Sequence, residues 1–499
     1  MRFIRGNSRI QQSFLSLDDR ISSSNTVRLI DNICNEFIAS YLESIDTESK
    51  DKEEKGNKDT GRKAYHPGDL LKLFVYGYFN GISSSRKLET ECLRNLEVKW
   101  LISELAPDHK TISDFRKDNP ELIRGLFVFL IKWFSAKGIS VGKKIAVDGT
   151  KVKAYASKDI KLNGLKKKLK NIQQQVEKYM ADLAKIDDLE DFCEEAEEKK
   201  EKLIKEIEVL ESKKKEVTEA MEGLESEGLS RKCLTDQESK TMKARYGHFY
   251  GYNFQIAVDI ESHILTEYQL NNSQNDKGLL SVMIAGSQEV TGQKPEEAQA
   301  DGGYYKAIEV QELEVSGTEC FVSVNETASR LSDEEKGLEF IYDKEKDHYK
   351  CSGGRTLEYF RKKTENGYEN RIYKSKDCSG CPFLDICTKP GSKVRSRTYT
   401  RNHNQEWIDN YRQKMRSTKG RKKMKQRKAV AEHPFGTMKY YMGQIPTVLR
   451  GQQKVSSEMG LYSIVYNLKR FIAINAKNPT KIGSDSGILY SNFPYLFNN

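Results

Sequence analysis

The stretch GKKIAVDGTK, residues 142–151, places an apolar triplet directly before an Asp-Gly pair. The triplet has the composition of a buried strand, so Asp148 is expected where this strand ends, although an Asp-Gly pair is more often only a turn. The same design recurs at residues 298–303, where Ala-Gln-Ala precedes Asp301. Side chains at the ends of neighbouring strands lie on one edge of a sheet. The sequence therefore predicts that Asp148 and Asp301 meet.

The residues between these two aspartates predict more of the same sheet. Residues 250–259 and 263–270 form a hairpin pattern around a tight polar turn, and a helical pattern begins at Asp276. A further short strand is expected at residues 320–324. The simplest arrangement of these elements is an α/β fold in which helices pack on a mixed sheet.

A third acid, Glu432, follows a strongly basic segment near the C-terminal end of the sequence. Eight of the thirteen residues from Arg416 to Lys428 are Lys or Arg. Taken alone, Glu432 is more simply a surface ion-pair partner on a helix. Together with the two aspartates it would complete a carboxylate triad.

Three carboxylates that share one site repel one another, so divalent cations are their natural occupants. Two Mg²⁺ ions, about 3.5–4 Å apart, would suit in-line attack on a phosphodiester, with Mn²⁺ as a substitute. The neighbouring Lys and Arg side chains would contact the phosphates.

The charge distribution favours a nucleic-acid partner over a membrane. Net charge is +10, from 83 basic and 73 acidic residues, and the region 389–439 is strongly basic, although such runs are usually only solvated faces. No apolar run approaches the ~18 residues of a membrane span, and no signal-peptide pattern follows Met1. We expect a cytosolic protein.

The segment from residue 66 to residue 116 predicts a compact all-α domain whose first helix begins at Pro67, and a further helix is expected from Pro120 to Lys137. Two interpretations remain open for this domain, a packing module and a helix-turn-helix DNA reader. In the second interpretation Arg86, Lys110 and Arg116 would lie near phosphates or bases.

Residues 159–228 have the pattern of a coiled coil. Apolar residues recur at alternating three- and four-residue steps in two arms, separated by an acidic break at residues 187–191. The pattern predicts an antiparallel helical hairpin, which would be either a rigid spacer or an arm for dimerisation or DNA spanning.

The chain has nine cysteines, an odd number without a disulfide pattern. A structural Zn²⁺ site is one interpretation of the group Cys351, Cys378, Cys381 and Cys387. Free thiols in an irregular loop are the alternative.

Four motifs together resemble those of DDE transposases of bacterial insertion sequences. They are AVDGTK (residues 146–151), YNFQIAVD (252–259), ADGGY (300–304) and EHPFGTMK (432–439). The resemblance covers most of the chain and includes the helical segment 66–115. It implies a ribonuclease-H-like core with Asp148, Asp301 and Glu432 as the catalytic, metal-binding triad.

The resemblance also implies DNA contacts around the third acid. Lys439 matches a family lysine that contacts DNA near the cleaved end. Related transposases often carry a Tyr and an Arg before the Glu, where Lys425 and Lys428 stand in this chain. The basic residues expected to contact DNA here are Lys151, Arg421, Lys422, Lys423, Lys425, Arg427, Lys428 and Lys439.

A domain order follows from these motifs and insertions. The expected units are an N-terminal helical segment (1–60), a helical DNA-binding domain (61–138), a ribonuclease-H-like core (139–158 and 229–330), the coiled-coil hairpin (159–228), an irregular cysteine-bearing insert (331–415), C-terminal core helices (416–480) and a tail (481–499).

The leading expectation is a transposase that binds the terminal inverted repeats of its element, cleaves there with Mg²⁺ and joins the ends to target DNA. Its partners would be double-stranded DNA and further copies of the chain, as a dimer or higher oligomer at the nucleoid. Two alternatives remain open. One is a metal-dependent nuclease or resolvase on the same core, and the other is a non-catalytic DNA-binding protein derived from a transposase.

Overall fold

The computed structural model describes residues 15–49, 64–155, 159–187, 194–228, 230–243, 247–324, 337–365, 368–387, 396–440, 442 and 447–477. The helices are α1 (Thr26–Ser49), α2 (Pro67–Phe79), α3 (Ser85–Arg94), α4 (Leu96–Leu101), α5 (His109–Asp118), α6 (Pro120–Ala136), α7 (Leu162–Asp187), α8 (Glu194–Ser226), α9 (Leu280–Thr291), α10 (Ala307–Val315), α11 (Leu384–Cys387), α12 (Gln405–Arg416), α13 (Thr418–Tyr440) and α14 (Gln452–Lys477). The strands are β1 (Lys144–Lys153), β2 (Asp159–Lys161), β3 (Arg231–Cys233), β4 (Lys240–Lys243), β5 (His248–Asp259), β6 (Leu265–Asn271), β7 (Glu297–Ala300), β8 (Glu319–Val322), β9 (Phe340–Asp343), β10 (His348–Cys351), β11 (Thr356–Glu365), β12 (Tyr368–Ser375) and β13 (Thr398–Asn402).

Helices α1–α6 form an N-terminal helical unit. Both helix starts predicted at proline are confirmed, because Pro67 and Pro120 are the first residues of α2 and α6. Proline fits a first helical position, where its missing N–H needs no partner. The Asp108 carboxylate accepts hydrogen bonds from the backbone N–H groups of Lys110 and Thr111 and so caps α5.

A six-stranded mixed sheet lies at the centre of the chain. Its order is β4-β5-β1-β7-β8, and β6 pairs with β5 beside β4. Strand β5 is antiparallel to β1 and β6, whereas β7 is parallel to β1 and β8. The hairpin predicted at residues 250–270 is confirmed as β5 and β6, and the strand predicted before Asp301 is β7.

Helices cover both faces of this sheet. The side chains of β1 alternate, so Ala146 packs in a cluster with α6 and α14, while Ile145 and Val147 pack in a second cluster with α9, α10 and Tyr411 of α12. The expected mixed sheet with packed helices is therefore present.

The insertion between β1 and β4 is a helical hairpin, as predicted. Helices α7 and α8 bury Leu165 and Ile172 against Val217 and Leu224. Lys166 near the start of α7 pairs with Glu225 near the end of α8 at 3.2 Å, so the two helices are antiparallel. A two-stranded β2-β3 pair closes the base of the hairpin.

The cysteine-bearing insert is not irregular, which corrects the prediction made for it. Strands β9–β13 form a five-stranded sheet in the order β13-β12-β11-β10-β9. Its core is aromatic, with Tyr349 and Tyr373 buried and their rings 5.2 Å apart. The short strands and the bulge after Tyr359 interrupt the alternation that would have predicted this sheet.

Among the described residues, no helix combines the length and the apolar composition that crossing a membrane requires.

Candidate active site

The register between β1 and β7 brings Asp148 and Asp301 to one level of the sheet. Ile145 pairs with Ala298, and Ala146 pairs with Gln299. Two residues further along both strands, the same register places Asp148 beside Asp301. The expectation that β1 ends at Asp148 is wrong, because β1 continues to Lys153 along β5. Strand β7 ends at Ala300, directly before Asp301. Both aspartates therefore lie just beyond the last paired residues of β1 and β7.

Helix α13 crosses this edge of the sheet and carries Glu432. Val430 and Ala431 are buried in the same cluster as Ala146, which seats the helix on the face where Asp148 lies. Gln426 of α13 accepts a hydrogen bond of 3.2 Å from Gln299 of β7. The carboxyl of Glu432 itself is exposed.

Asp301 and Glu432 both act electrostatically on Asp148. The pKa of Asp148 is raised to about 6, chiefly by burial; Arg427 and the N–H of Gly149 oppose this rise, and the nearby carboxylates of Asp301 and Glu432 add to it. Asp301 and Glu432 are therefore close enough to Asp148 to influence the charge of its carboxyl.

Arg427 lies between the two aspartates. Its Nη2 is 2.7 Å from Oδ1 of Asp148 and 3.8 Å from Oδ2 of Asp301, and its side chain is only 12% exposed. The guanidinium supplies the positive charge that two neighbouring carboxylates require. Arg427 was expected to face DNA, and the structure instead places it between the two aspartates.

The donor set fits a divalent cation in its chemistry. Carboxylate oxygens are the ligands that Mg²⁺ prefers, and Arg427 marks a position where positive charge is held between two of them. In the part of the chain that the structure describes, however, no three His, Cys, Asp or Glu side chains are close enough together to hold a metal ion. Arg427 occupies the space between the two aspartates, where its charge competes with a cation for their oxygens.

A buried polar cluster lies next to the aspartates, and the sequence did not predict a role for it. We call Asn253, Gln255, Asp276 and Tyr304 the polar platform. Oδ1 of Asp276 accepts hydrogen bonds of 2.7 Å from Asn253 and 2.8 Å from Gln255, and the hydroxyl of Tyr304 donates to Oε1 of Gln255. Asn253 and Gln255 are polar residues at alternate positions of an otherwise apolar strand, and this pattern could have indicated a polar cluster on one face.

Two of the predicted basic residues lie at the site. Nζ of Lys439 donates to Oγ1 of Thr150 at 3.1 Å, and Nζ of Lys151 lies 3.4 Å from Asp276. Lys423 is occupied by an ion pair of 2.6 Å with the buried Glu297. The other predicted bases of α13 are exposed, namely Arg421, Lys422, Lys425 and Lys428.

In the N-terminal helices, Arg86 and Lys110 are exposed, as a DNA contact requires. Arg116 is not, because it is only 1% exposed and its Nη1 donates to the hydroxyl of Tyr78 and the carbonyl of Ser83. The DNA contact predicted for Arg116 is wrong in this structure, since a buried guanidinium cannot reach a phosphate.

The four cysteines of the insert line one cavity, together with Gly353 and Phe383. A Cβ on Gly353 would lie 2.6 Å from Sγ of Cys381 and 3.7 Å from Sγ of Cys351, so these two thiols approach the same point. Zinc binding by Cys351, Cys378, Cys381 and Cys387 stays a prediction, since no metal-holding group is formed among the described residues. The remaining described cysteines are buried, namely Cys34, Cys92, Cys233 and Cys320.

Two family models match the chain. The model described as "Transposase domain (DUF772)" matches residues 15–118, and the model described as "Transposase DDE domain" matches residues 350–472. Both matches support a DDE transposase of the insertion-sequence type.

The two matched segments are the N-terminal helices and the stretch from β10 to α14. The second match includes Glu432, whereas Asp148 and Asp301 lie outside both matches. The family therefore indicates a transposase enzyme, while the assignment of the two aspartates depends on the geometry of the sheet edge.

Comparison with solved structures finds similarity to the piggyBac transposase synaptic complex with hairpin DNA. The sequence identity is 8% and the TM-score is 0.36, over 91% of this chain and 76% of that chain. A TM-score at this level does not indicate a shared fold. No match was found among curated proteins.

Proposed function

We propose that this transposase binds the ends of its own insertion sequence, cleaves them with Mg²⁺ and joins them to target DNA. Asp148, Asp301 and Glu432 are the catalytic triad. The observation that carries the proposal is the β1-β7 register, which sets the two aspartates side by side under the helix that bears Glu432. The strand order β6-β5-β1-β7-β8, with β7 and β8 parallel to β1, supports a ribonuclease-H-like core.

Bound Mg²⁺ would activate a water or 3′-hydroxyl nucleophile and stabilise the leaving oxygen. The side chains of the protein itself position the DNA and supply positive charge around the scissile bond. Lys439 and Lys151 lie beside the triad and can neutralise the phosphates on either side of the scissile bond. The exposed bases Arg421, Lys422, Lys425 and Lys428 extend this positive surface along α13.

The test uses labelled DNA from the flanks of the encoding gene, scored for binding and for strand cleavage. The natural chain is expected to bind and to cleave with Mg²⁺ or Mn²⁺. Asp148→Asn keeps the shape of the side chain and is expected to bind DNA without cleaving it. Unchanged Mg²⁺-dependent cleavage by Asp148→Asn would contradict the triad.

A nuclease or resolvase on the same core is the second candidate, because the triad alone is compatible with cleavage that is not followed by joining. A pre-cleaved end substrate separates the two functions. Joined products with target DNA indicate a transposase, whereas cleavage without joined products indicates a nuclease.

The remaining features have roles that follow from the same proposal. Residues 61–138 contact DNA through Arg86 and Lys110, which are exposed on α3 and α5. The α7-α8 hairpin supports a dimer or higher oligomer of the chain on DNA, at the nucleoid of the cytoplasm. The domain boundaries are those given by the sequence.

Structural zinc in the five-stranded insert is a separate proposal. The shared cavity of Cys351, Cys378, Cys381 and Cys387 supports it. Metal analysis of the purified protein is expected to find zinc, and Cys378→Ser and Cys381→Ser are expected to lose it. Zinc content that is unchanged in both variants would remove this site.

A further inference from the structure

The polar platform lies beside β1, the strand that carries Asp148, and links it to the turn after β7 that carries Asp301. Asn253 and Gln255 are fully buried and Tyr304 is 1% exposed. Their polar groups are paired with one another and with Asp276, rather than with water. A buried polar network of this kind is rigid when each of its members has a partner.

One side of Gln255 lies against the strand that carries Asp148. Gln255 is the pairing partner of Gly149 across β5 and β1. A Cβ on Gly149 would lie 2.3 Å from Nε2 of Gln255, a distance that no side chain can adopt. A side chain at position 149 would therefore force the buried Gln255 amide, which lies across the backbone there, to move.

The other side of Gln255 holds the turn that carries Asp301. Its Oε1 accepts the hydroxyl of Tyr304, and the backbone N–H of Tyr304 donates to the carbonyl of Asp301 at 3.2 Å. The N–H of Gly303 donates to Oδ1 of Asp301 at 2.8 Å and fixes the direction of this carboxylate. A single amide thus contacts the residue after Asp148 and the turn that contains Asp301.

The orientation of the Gln255 amide is also fixed. Its Nε2 donates to Oδ1 of Asn253 and to Oδ1 of Asp276, both at 2.8 Å. Burial raises the pKa of Tyr304 well above its ordinary value, and the carboxylates of Asp276, Asp148 and Asp301 add to the effect, so its hydroxyl stays a donor. Rotating the amide would place a donor against Tyr304 and an acceptor against Asp276.

We propose that Gln255 is a positioning residue that fixes the spacing between Asp148 and Asp301, and through it the affinity of this pair for divalent cations. The inference rests on the proposed function, in which the two aspartates bind metal. Residues that orient metal ligands typically change metal affinity by about 10–100-fold when they are altered. Gln255 would act in this way through Tyr304 and Gly149, without touching the metal.

Tyr304→Phe tests the inference because it removes only the hydroxyl that ties Gln255 to the Asp301 turn. The matched control is Tyr252→Phe, since Tyr252 is equally buried on the same strand as Gln255 and its hydroxyl donates to Asp236 at 2.7 Å. Gln255→Met provides a second variant of similar length without hydrogen-bonding groups. Thermal unfolding identifies which of these variants are folded.

The main readout is Mn²⁺ binding to the DNA-free protein, followed by electron paramagnetic resonance. Tyr304→Phe is expected to weaken Mn²⁺ binding about tenfold, and Tyr252→Phe is expected to leave it within about twofold. In DNA cleavage, the Mg²⁺ concentration for half-maximal rate is expected to rise by the same factor in Tyr304→Phe, with little change in the rate at saturating Mg²⁺.

Asp301→Asn separates the inference from the proposed function. If Asp301→Asn abolishes Mn²⁺ binding while Tyr304→Phe and Gln255→Met bind Mn²⁺ as the control does, Gln255 has no positioning role. An equal loss of Mn²⁺ affinity in Tyr304→Phe and Tyr252→Phe would also overturn the inference, since it would reflect general weakening of β5. If Asp301→Asn leaves Mn²⁺ binding unchanged, the triad itself is wrong.

Discussion

The direction in which the Arg427 side chain faces could not be predicted from the sequence. Arg427 stands in a segment where most residues are Lys or Arg, so helical periodicity gives little contrast between its faces. The rotation of α13 on the sheet is set by the burial of Val430 and Ala431, and this rotation turns Arg427 inward. The proximity of Asp148 and Asp301, in contrast, was predictable from the apolar residues and the Asp-Gly pair that occur at both positions.

Removing Arg427 is expected to have opposite effects on metal affinity and on stability. In Arg427→Ala the two aspartates lose the cation between them, so the metal-free protein should unfold at a lower temperature in EDTA. Mn²⁺ should bind the DNA-free variant more tightly, because the competing charge is absent. The exposed neighbour Lys428→Ala is the control. Weaker Mn²⁺ binding by Arg427→Ala would show that the arginine supports the metal site rather than competing for it.

Within the elements, helix α2 shows how packing overrides helix propensity. Gly77 lies inside α2, where alanine would ordinarily stabilise a helix by about 1 kcal/mol. A Cβ at this position would lie 2.6 Å from Cδ2 of Leu88 and 2.7 Å from the carbonyl oxygen of Ile82. The close approach of the following loop and of α3 therefore requires glycine.

Gly77→Ala is expected to lower the free energy of unfolding, against the helix propensity of alanine. Gly436 of α13 is a matched control, since a Cβ there meets no atom within 4 Å. Gly436→Ala should therefore be neutral or stabilising. Urea unfolding of both variants measures the difference, and a gain in stability for Gly77→Ala would contradict the packing described here.

The α7-α8 hairpin is a separable element. Its core of Leu165, Ile172, Val217 and Leu224 draws on residues of the insertion itself. Replacing residues 162–230 by an Asn-Gly turn would join β2 directly to β3 in a two-residue hairpin. The shortened chain is expected to keep the thermal unfolding midpoint of the main sheet within a few degrees. Sedimentation on DNA then shows whether assembly is lost, and an unfolded product would show that the insertion supports the core.

Helices were predictable from the sequence where an apolar repeat was long or where a proline marked the first residue of the helix. The heptads gave the hairpin, and Pro67 and Pro120 gave two helix starts. The five-stranded insert could not be predicted in this way, because β9 and β10 have only four residues each and a period of two needs a longer run. The continuation of β1 beyond Asp148 was missed because its second half pairs only with β5 and alternates poorly.

Across the whole molecule, a buried ion pair joins the N-terminal helices to the C-terminal helix. Arg116 of α5 lies 3.5 Å from Glu458 of α14, and each side chain is 1% exposed. Sequence patterns locate each helix but not which helices meet, so this pair and its coupling of the two ends of the chain could not be predicted. Arg116 therefore stabilises the fold rather than contacting DNA.

Arg116→Met is expected to cost about 3–5 kcal/mol of unfolding free energy at neutral pH, because it leaves a buried carboxylate without its partner. Burial raises the pKa of Glu458 above its ordinary value of 4.5, and Arg116 opposes this rise. In the variant the folded-state pKa of Glu458 rises further. The stability that the folded variant gains when Glu458 is protonated is then fully present at acid pH. It is lost as the pH rises through the folded-state pKa of Glu458.

The deficit of Arg116→Met should therefore be smaller at pH 5 than at pH 8, as measured by urea unfolding. Adding Glu458→Gln, which removes the stranded charge, should recover part of the loss at pH 8. A deficit that does not depend on pH, with no recovery in the double variant, would show that lost packing rather than charge explains the effect.

The most direct test of the proposed triad is strand joining by protein altered only at Glu432. This carboxyl is exposed on α13, so Glu432→Gln should fold normally, and Glu261→Gln, an exposed acid at the β5-β6 turn, is the control. With pre-cleaved end DNA, target DNA and Mg²⁺, we predict joined products from the natural chain and from Glu261→Gln, and none from Glu432→Gln. Joined products from Glu432→Gln at the natural rate would contradict the assignment of Glu432 to the triad.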